Sequence, residues 1–192
     1  GADISPLKMA AAYATFANYG TYSKPYSVTK VTTRDGQVIE FKPEQKQAMK
    51  DSTAYMITNV LKDSFTYGFA TQVAIEGLPT AAKTGSSNYT TEQKLAMGAS
   101  EYENIIPDSW FIGYSTDYTI SVWSGYDNPY IKGGGLNQTE QTYPKWIYYY
   151  LMQYMAQFSS RDDWEQPESV VKQKIELGSD PLSLPGPRTP AN

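Results

Sequence analysis

The sequence contains neither cysteine nor histidine. The lack of cysteine excludes disulfides and thiolate metal sites. The lack of histidine excludes Ser-His-Asp hydrolysis, Cys-His proteolysis and histidine-ligated zinc within this chain. Any nucleophilic chemistry must therefore use another base, which points to lysine. We expect no metal and no cofactor.

Positive charge and long apolar runs are also scarce. The chain has 16 lysines and arginines against 20 acidic residues, and the basic residues are scattered, which argues against a nucleic-acid binder. No segment reaches the roughly 18 apolar residues that a membrane-spanning helix needs. The nearest candidate, residues 146–158, is interrupted by Gln153 and Gln157 and predicts a buried amphipathic helix. Because the chain opens on Gly1-Ala2-Asp3, we expect it to be an internal part of a longer protein.

Aromatic residues are abundant, with 17 tyrosines and four tryptophans, so we expect a core built from large side chains with one polar end. Ser5-Pro6 predicts the start of a helix over residues 7–18 that stops at Gly20. Asp35-Gly36 predicts a hairpin between residues 26–33 and 37–41. A second helix is predicted over residues 52–62. Its predicted cap is Asp51 or Ser52, and its apolar stripe is Tyr55, Met56, Val60 and Leu61.

The second half of the chain predicts an antiparallel meander with helices packed against it. The predicted strands are residues 78–88, 109–114 and 118–124; the predicted closing helix is residues 142–158. Residues 91–107 are polar and predicted to be irregular, and residues 133–135 form a glycine turn. Proline becomes frequent beyond Ser160. We therefore predict an α/β domain over residues 1–158 and a proline-rich linker or tail over residues 159–192.

The motif Lys83-Thr84-Gly85, followed by Ser86 and Ser87, lies in the predicted strand 78–88. An exposed strand edge can pair with an extended peptide, and Gly85 has no Cβ to hinder its approach. Lys83 places a positive charge beside a substrate carboxylate, and the hydroxyls of Thr84 and Ser86 can bind the same group. The N–H of Ser86 can stabilise an oxyanion. This set fits acyl transfer. We predict Lys83 and Ser86 as catalytic residues, and Thr84, Gly85, Ser86 and Ser87 as substrate-binding residues.

Several segments around this motif resemble class A penicillin-binding proteins, whose signatures include K-T-G. Residues 1–158 are similar to the C-terminal half of the transpeptidase domain, and the tail is similar to the linker in the 1A type of Gram-positive cocci. The resemblance implies a penicillin-recognising serine transpeptidase/β-lactamase-like fold, an antiparallel sheet flanked by helices. The segments that carry it are residues 5–13, 53–56, 83–85, 108–114 and 122–127.

The resemblance also implies a function. The family cross-links peptidoglycan by acylating a serine with a D-Ala-D-Ala stem peptide and passing the acyl group to an amine, and β-lactams trap the acyl-enzyme. The full-length protein implied is a membrane-anchored enzyme on the cell-wall side of the plasma membrane, which also carries a glycosyltransferase domain. Its expected partners are the stem peptide, β-lactams and the N-terminal part of the same protein.

The serine nucleophile of this family is missing from the expected place. Ser27 and Lys30 have the S-x-x-K spacing, but they lie in a predicted strand, where residues three apart point to opposite faces. Ser86-Ser87-Asn88 has the S-x-N spacing of the family's second serine motif, but it belongs to the motif strand itself and cannot also lie opposite that strand. We therefore expect the chain to be inactive alone, with the nucleophile on a preceding segment. Phe69 also departs from the family, which usually carries threonine there.

Two other functions stay open: a β-lactamase or D,D-carboxypeptidase on the same scaffold, and a non-catalytic module that senses β-lactams or binds the cell wall. Asp108 is a possible catalytic acid, but a strand-start residue that binds local backbone is the better interpretation. Residues 89–107 are a plausible lid beside the site. For Tyr148-Tyr149-Tyr150 we favour packing over carbohydrate stacking.

Overall fold

A three-stranded antiparallel sheet with helices on both faces is the centre of the computed structural model, which describes residues 3–176 and 178–187. Strand order in this sheet is β5-β6-β7, and two further sheets pair β1 with β4 and β2 with β3. The predicted meander and α/β class are confirmed. The elements are α1 (Pro6–Ala17), β1 (Thr21–Ser23), β2 (Lys30–Thr32), β3 (Val38–Glu40), β4 (Gln45–Gln47), α2 (Asp51–Thr66), β5 (Ala81–Ser86), α3 (Thr91–Ala96), β6 (Asp108–Tyr114), β7 (Thr119–Gly125) and α4 (Tyr143–Met155).

Strand β6 is buried on both faces, as its apolar run predicts. On one face Phe111 stacks against Tyr148 of α4, with ring centroids 4.7 Å apart. On the other face Tyr114 packs against Tyr13 of α1, and its hydroxyl lies 3.1 Å from that of Thr58 on α2. Burial raises the pKa of Tyr114 to about 12, although the hydrogen bond with Thr58 opposes the shift. The core is therefore aromatic with polar ends, as the composition predicts.

Helix α4 buries one side and exposes the other, as the prediction of a buried amphipathic helix requires. The buried residues of the helix recur every fourth position, because one stripe of the helix faces the sheet; they are Pro144, Tyr148 and Met152, and Ala156 continues the series just beyond the helix end. The outer side also carries apolar residues, and they are exposed: Ile147, Leu151 and Tyr154. Of the tyrosine run for which we favour packing, Tyr148 is in the core and Tyr150 is exposed at the surface.

Helix α1 begins as the sequence predicts. The Ser5 hydroxyl accepts a hydrogen bond from the backbone N–H of Lys8, and Pro6 is the first helical residue. Gly20 lies just beyond the helix end with φ of +86°, and a Cβ there would come within 2.3 Å of the Met49 carbonyl oxygen. The close backbone approach and the left-handed conformation both require glycine.

Helix α2 differs from its prediction in its cap, its length and its buried face. Lys50 occupies the cap position without a side-chain hydrogen bond, and Asp51 is already helical. Met56 and Val60 are exposed, so the predicted apolar stripe is wrong at those two positions. The small residues Ala54 and Thr58 are buried instead, because the helix packs closely against α1 and β5.

The remaining local differences concern short elements. The hairpin around Gly36 is confirmed, but each of its strands has only three residues. Strands β1 and β4 were not predicted. The prediction that residues 91–107 are irregular is wrong at α3, where Thr90 and Gln93 form a reciprocal capping box. Within the described residues, no helix has both the length and the apolar character to span a bilayer.

The segment that follows α4 contacts the domain. Trp164 is buried against Tyr114, and its indole N–H donates to the carbonyl of Ala17 at 2.9 Å. Asp163 forms an ion pair with Lys62 at 2.5 Å. The division between a domain over residues 1–158 and a tail stays a prediction, and these contacts cross it. Residues 1, 2, 177 and 188–192, on which parts of these predictions fall, lie outside the described residues.

Replacement of Gly113 by alanine tests the fit between the sheet and α4. A Cβ at Gly113 would lie 2.3–2.9 Å from side-chain atoms of the buried Tyr148, so we expect Gly113→Ala to lower the free energy of unfolding by about 1–3 kcal/mol. The measurement is the urea midpoint. Gly186→Ala is the control, because a Cβ there meets no atom within 4 Å, and equal midpoints for all three proteins would contradict the packing.

Asp117 makes the contact between the domain and the segment that follows α4 sensitive to acid. Its carboxylate accepts hydrogen bonds from the Ser159 hydroxyl and from the N–H and hydroxyl of Ser160. These bonds, that of Ser159 first, lower the pKa of Asp117. The stabilisation is thus present above the ordinary carboxyl pKa of about 4, and it is lost as pH falls through the lower folded value.

We expect Asp117→Asn to be less stable than the wild type at pH 6 and the difference between them to shrink towards pH 3. Urea midpoints across this pH range measure it. Ser159→Ala, which removes the strongest donor, should show the same trend. A difference that stays constant from pH 6 to pH 3 would contradict this assignment.

Candidate active site

The motif strand β5 lies at the edge of the central sheet, and among the described strands only β6 pairs with it. The Lys83 ammonium donates to the Thr84 carbonyl at 2.9 Å, which indicates that this carbonyl points to the open edge and not into the ladder with β6. Alternate residues of a strand repeat the same orientation. The backbone groups of Thr84 and Ser86 therefore both face the open edge.

The side chains of Thr84 and Ser86 lie on one face of the sheet. Their cross-strand partners on β6, Phe111 and Ser109, lie beside them on the same face. Together with Gly85 they line a cleft of about 370 Å³. The structure thus brings together three of the predicted substrate-binding residues. The other walls come from the segments before β5, before β6 and at the start of α4; they include Phe69, Asn104, Gln141, Thr142 and Lys145.

Lys83 belongs to the opposite face, but its ammonium bends around the edge of β5 towards the cleft. Besides the Thr84 carbonyl, it lies 5.8 Å from the ring centroid of Phe69, which lines the cleft. The predicted catalytic residues Lys83 and Ser86 are therefore neighbours of one cleft, at the edge that an extended ligand would approach.

The charge around this cleft suits an anion. Among the described residues that line it, none is acidic, and Lys145 is basic. The Lys145 ammonium is held by the side chain of Gln72 at 3.0 Å. Together with Lys83 it places two positive charges near the hydroxyls of Thr84 and Ser86, an arrangement that attracts a carboxylate.

Gly85 has a structural reason to be glycine. A Cβ at this position would come within 3.3 Å of the Cβ of Trp110 on the neighbouring strand. The absent side chain therefore makes room for Trp110 on the face of the sheet. The predicted close approach of a substrate backbone at Gly85 stays a prediction.

Ser87 lies apart from the Thr84–Ser86 cleft. Its hydroxyl donates to one oxygen of Asp108 at 2.6 Å, and the other oxygen accepts from the indole N–H of Trp123 at 2.8 Å. These residues line a second cleft of about 670 Å³ with Trp110, the start of α1 and Ser86, which thus borders both clefts. The role of Ser87 in substrate binding stays a prediction.

The same contacts correct the interpretation of Asp108. Its partners are side chains that flank β6 on both sides, and not local backbone groups. Because both carboxylate oxygens already accept a hydrogen bond, Asp108 links the ends of three strands. The lid predicted over residues 89–107 does lie beside the site, since Asn104 and Ile106 line the first cleft. Closure of such a lid stays a prediction.

Three S-x-x-K spacings occur in the chain, beginning at Ser5, Ser27 and Ser169, and only the one at Ser27 was recognised in the sequence. Ser169 lies in a turn beyond α4 and is not helical. Ser27 lies in a bend, and Lys30 is the first residue of β2, so neither is helical. Ser5 and Lys8 have the same spacing at the N-terminus of α1, beside the second cleft, which Ile4 and Pro6 line. The Ser5 hydroxyl oxygen, however, caps the helix by accepting from the Lys8 backbone N–H at 3.4 Å.

Comparisons with known proteins agree with this geometry. The chain is 36% identical to penicillin-binding protein 1A/1B of Bacillus subtilis over 98% of its length, and 40% identical to penicillin-binding protein 1A of Streptococcus pneumoniae R6 over 88%. It spans only 20% and 23% of the lengths of these two relatives.

Solved structures show the same fold. Penicillin-binding protein 1A from Haemophilus influenzae superposes with a TM-score of 0.68 over 90% of this chain and 29% of that one, at 18% identity. PonA1 from Mycobacterium tuberculosis, solved in complex with penicillin V, superposes with a TM-score of 0.64 over 84% of this chain and 41% of that one, at 24% identity.

The sequence profile of the penicillin-binding protein transpeptidase domain matches residues 1–152, which include every element from α1 to β7 and most of α4. The motif strand, its open edge and the helices that support it are all within the match. The chain therefore belongs to the penicillin-binding protein transpeptidase family, of whose members it spans one part.

Proposed function

We propose that this chain supplies the substrate-docking strand of a serine D,D-transpeptidase that cross-links peptidoglycan stem peptides and is inhibited by β-lactams. The observation that carries the proposal is the open edge of β5, which presents Lys83, Thr84 and Ser86 to a cleft without acidic lining residues among those described. Membership of the transpeptidase family supports it.

In the binding step, the D-Ala-D-Ala end of a stem peptide pairs as an added strand with the outer edge of β5. Its carboxylate lies among the Lys83 ammonium and the hydroxyls of Thr84 and Ser86. An ion pair at about 4 Å is worth about 1 kcal/mol in water and ~4 kcal/mol near a protein surface. The cleft therefore both orients the peptide and selects a free C-terminus.

In the first chemical step, a serine oxygen forms a bond to the carbonyl carbon of the D-Ala-D-Ala peptide bond, and a base takes the serine proton. The backbone N–H of Ser86 donates to the oxyanion that forms, a contact of the kind whose loss costs about 3–4 kcal/mol. The peptide bond then breaks and D-alanine leaves, its nitrogen taking up a proton. An amine of a neighbouring stem peptide next attacks the ester and restores the serine.

The nucleophile and its base lie, in this proposal, on a segment that precedes this chain in a longer protein. That protein is membrane-anchored, faces the cell wall and also carries a glycosyltransferase domain. The short coverage of the relatives supports this, since the chain spans about a fifth of their length. It follows that the chain alone has no turnover.

Intact-mass analysis with benzylpenicillin tests the partition of the site. We expect the 192-residue chain to gain no mass, and a polypeptide extended upstream through the nucleophile segment to gain one penicillin, mapped to an upstream serine. In the extended protein, Lys83→Met should slow acylation roughly tenfold or more, because the carboxylate loses its charged partner.

Ser5→Ala and Ser27→Ala are the matched controls. If the 192-residue chain gains mass and either variant abolishes the gain, the nucleophile is in this chain and the partition is wrong. Rapid hydrolysis of the acyl-enzyme by water would favour a β-lactamase or carboxypeptidase. An extended protein that folds but never gains mass would favour a non-catalytic module.

A further inference from the structure

A tight turn after α2 directs Phe69 to the cleft beside the motif strand. Gly68 begins the turn, and a Cβ there would lie 2.8 Å from the Cα of Ser64, so the backbone passes too close to α2 for a side chain. Ala70 follows, completely buried, and its N–H donates to the Ser64 carbonyl at 2.9 Å. With both neighbours fixed against the helix, the position of Phe69 is set by the fold.

The Phe69 ring is held from below by the aromatic core. It meets Phe111 edge-on, with centroids 6.1 Å apart and an interplanar angle of 79°, and Phe111 in turn stacks on Tyr148. Phe69 nevertheless keeps 40% of its surface exposed, where it lines the cleft. A large aromatic side chain that is both anchored and open is available to a charged partner.

That partner is the Lys83 ammonium, which contacts two groups: the Phe69 ring and the Thr84 carbonyl. The ammonium lies 5.8 Å from the Phe69 ring centroid, within the range of a cation–π contact, and 2.9 Å from the Thr84 carbonyl oxygen. The Thr84 carbonyl is also the acceptor that a docking peptide would use to pair with the edge of β5. A docking peptide therefore competes with the ammonium for the Thr84 carbonyl, whereas it does not compete for the ring.

We infer that Phe69 is a positioning residue, whose ring keeps the Lys83 ammonium at the cleft when the substrate backbone takes over the Thr84 carbonyl. The inference rests on the proposed function, because it assigns the ammonium to the substrate carboxylate. A purely structural Phe69 would only fill space over Phe111, a role that another apolar side chain of similar size performs equally well.

Substitutions at Phe69 separate these two roles in the 192-residue chain. Phe69→Leu keeps apolar bulk but removes the ring, and Phe69→Tyr keeps the ring. Phe158→Leu is the control, because Phe158 is exposed just beyond the C-terminal end of α4 and does not line the cleft. Lys83→Met reports whether binding depends on the ammonium.

Two readouts are measured by NMR for every variant: the ring-current shift of the Lys83 ε-methylene, and the affinity for N-acetyl-D-Ala-D-Ala. We expect Phe69→Leu to abolish the shift and weaken binding two- to fivefold, the range of an exposed cation–π contact. Phe69→Tyr and Phe158→Leu should retain both the shift and the affinity.

Two other outcomes would distinguish failure of the positioning role of Phe69 from failure of the Lys83 assignment. If Lys83→Met weakens binding but Phe69→Leu does not, the positioning role is overturned and the proposed function stands. If Lys83→Met and the wild type are indistinguishable, the assignment of Lys83 to the carboxylate fails, and the role of Phe69 fails with it.

Discussion

The hydrogen-bonded ladder between β5 and β6 is the constraint on which the rest of the structure depends. It runs in register from Ala81 opposite Tyr114 to Ser86 opposite Ser109. Because α4 packs on one face of β6 and α1 on the other, β6 is held in place, and the ladder passes that rigidity to β5, which α2 also supports. The motif residues at the surface are thus held by a buried strand.

In the proposed function, this constraint prepares the open edge of β5 for a peptide. The backbone groups of Thr84 and Ser86 are fixed before a ligand arrives, so a docking peptide meets preorganised donors and acceptors. The side chains add charge and hydroxyls around the cleft, and the Phe111–Tyr148 stack supports the wall that carries Phe69. Phe111 of β6 belongs both to the lining of the cleft and to the buried core.

The sequence predicted the elements that have strong local signals. Ser5-Pro6 and Asp35-Gly36 are such signals, and the apolar run of β6 indicated a strand buried on both faces. The motif residues Thr84, Gly85 and Ser86 lie together in the cleft because they are consecutive in one strand. Ser87 lies just beyond the strand and lines only the second cleft, which Ser86 also reaches, and the motif alone does not reveal this.

The rest depends on contacts between distant residues. The link from Ser87 through Asp108 to Trp123 joins three strands, and the position of Phe69 against Lys83 needs the turn after α2. The face that α2 buries is set by close packing and not by its apolar residues, so periodicity misplaced Met56 and Val60. Trp164, in a proline-rich segment, returns to the core through a partner 147 positions earlier in the chain.

Amide hydrogen exchange on β5, with and without N-acetyl-D-Ala-D-Ala, tests most directly whether the open edge binds an extended peptide. We predict slower exchange at Thr84 and Ser86, whose N–H groups face the open edge. Exchange should change little at Lys83 and Gly85, because their N–H groups are already bonded to β6. Saturation with the peptide that leaves exchange at Thr84 and Ser86 unchanged, or that slows all four residues equally, would contradict it.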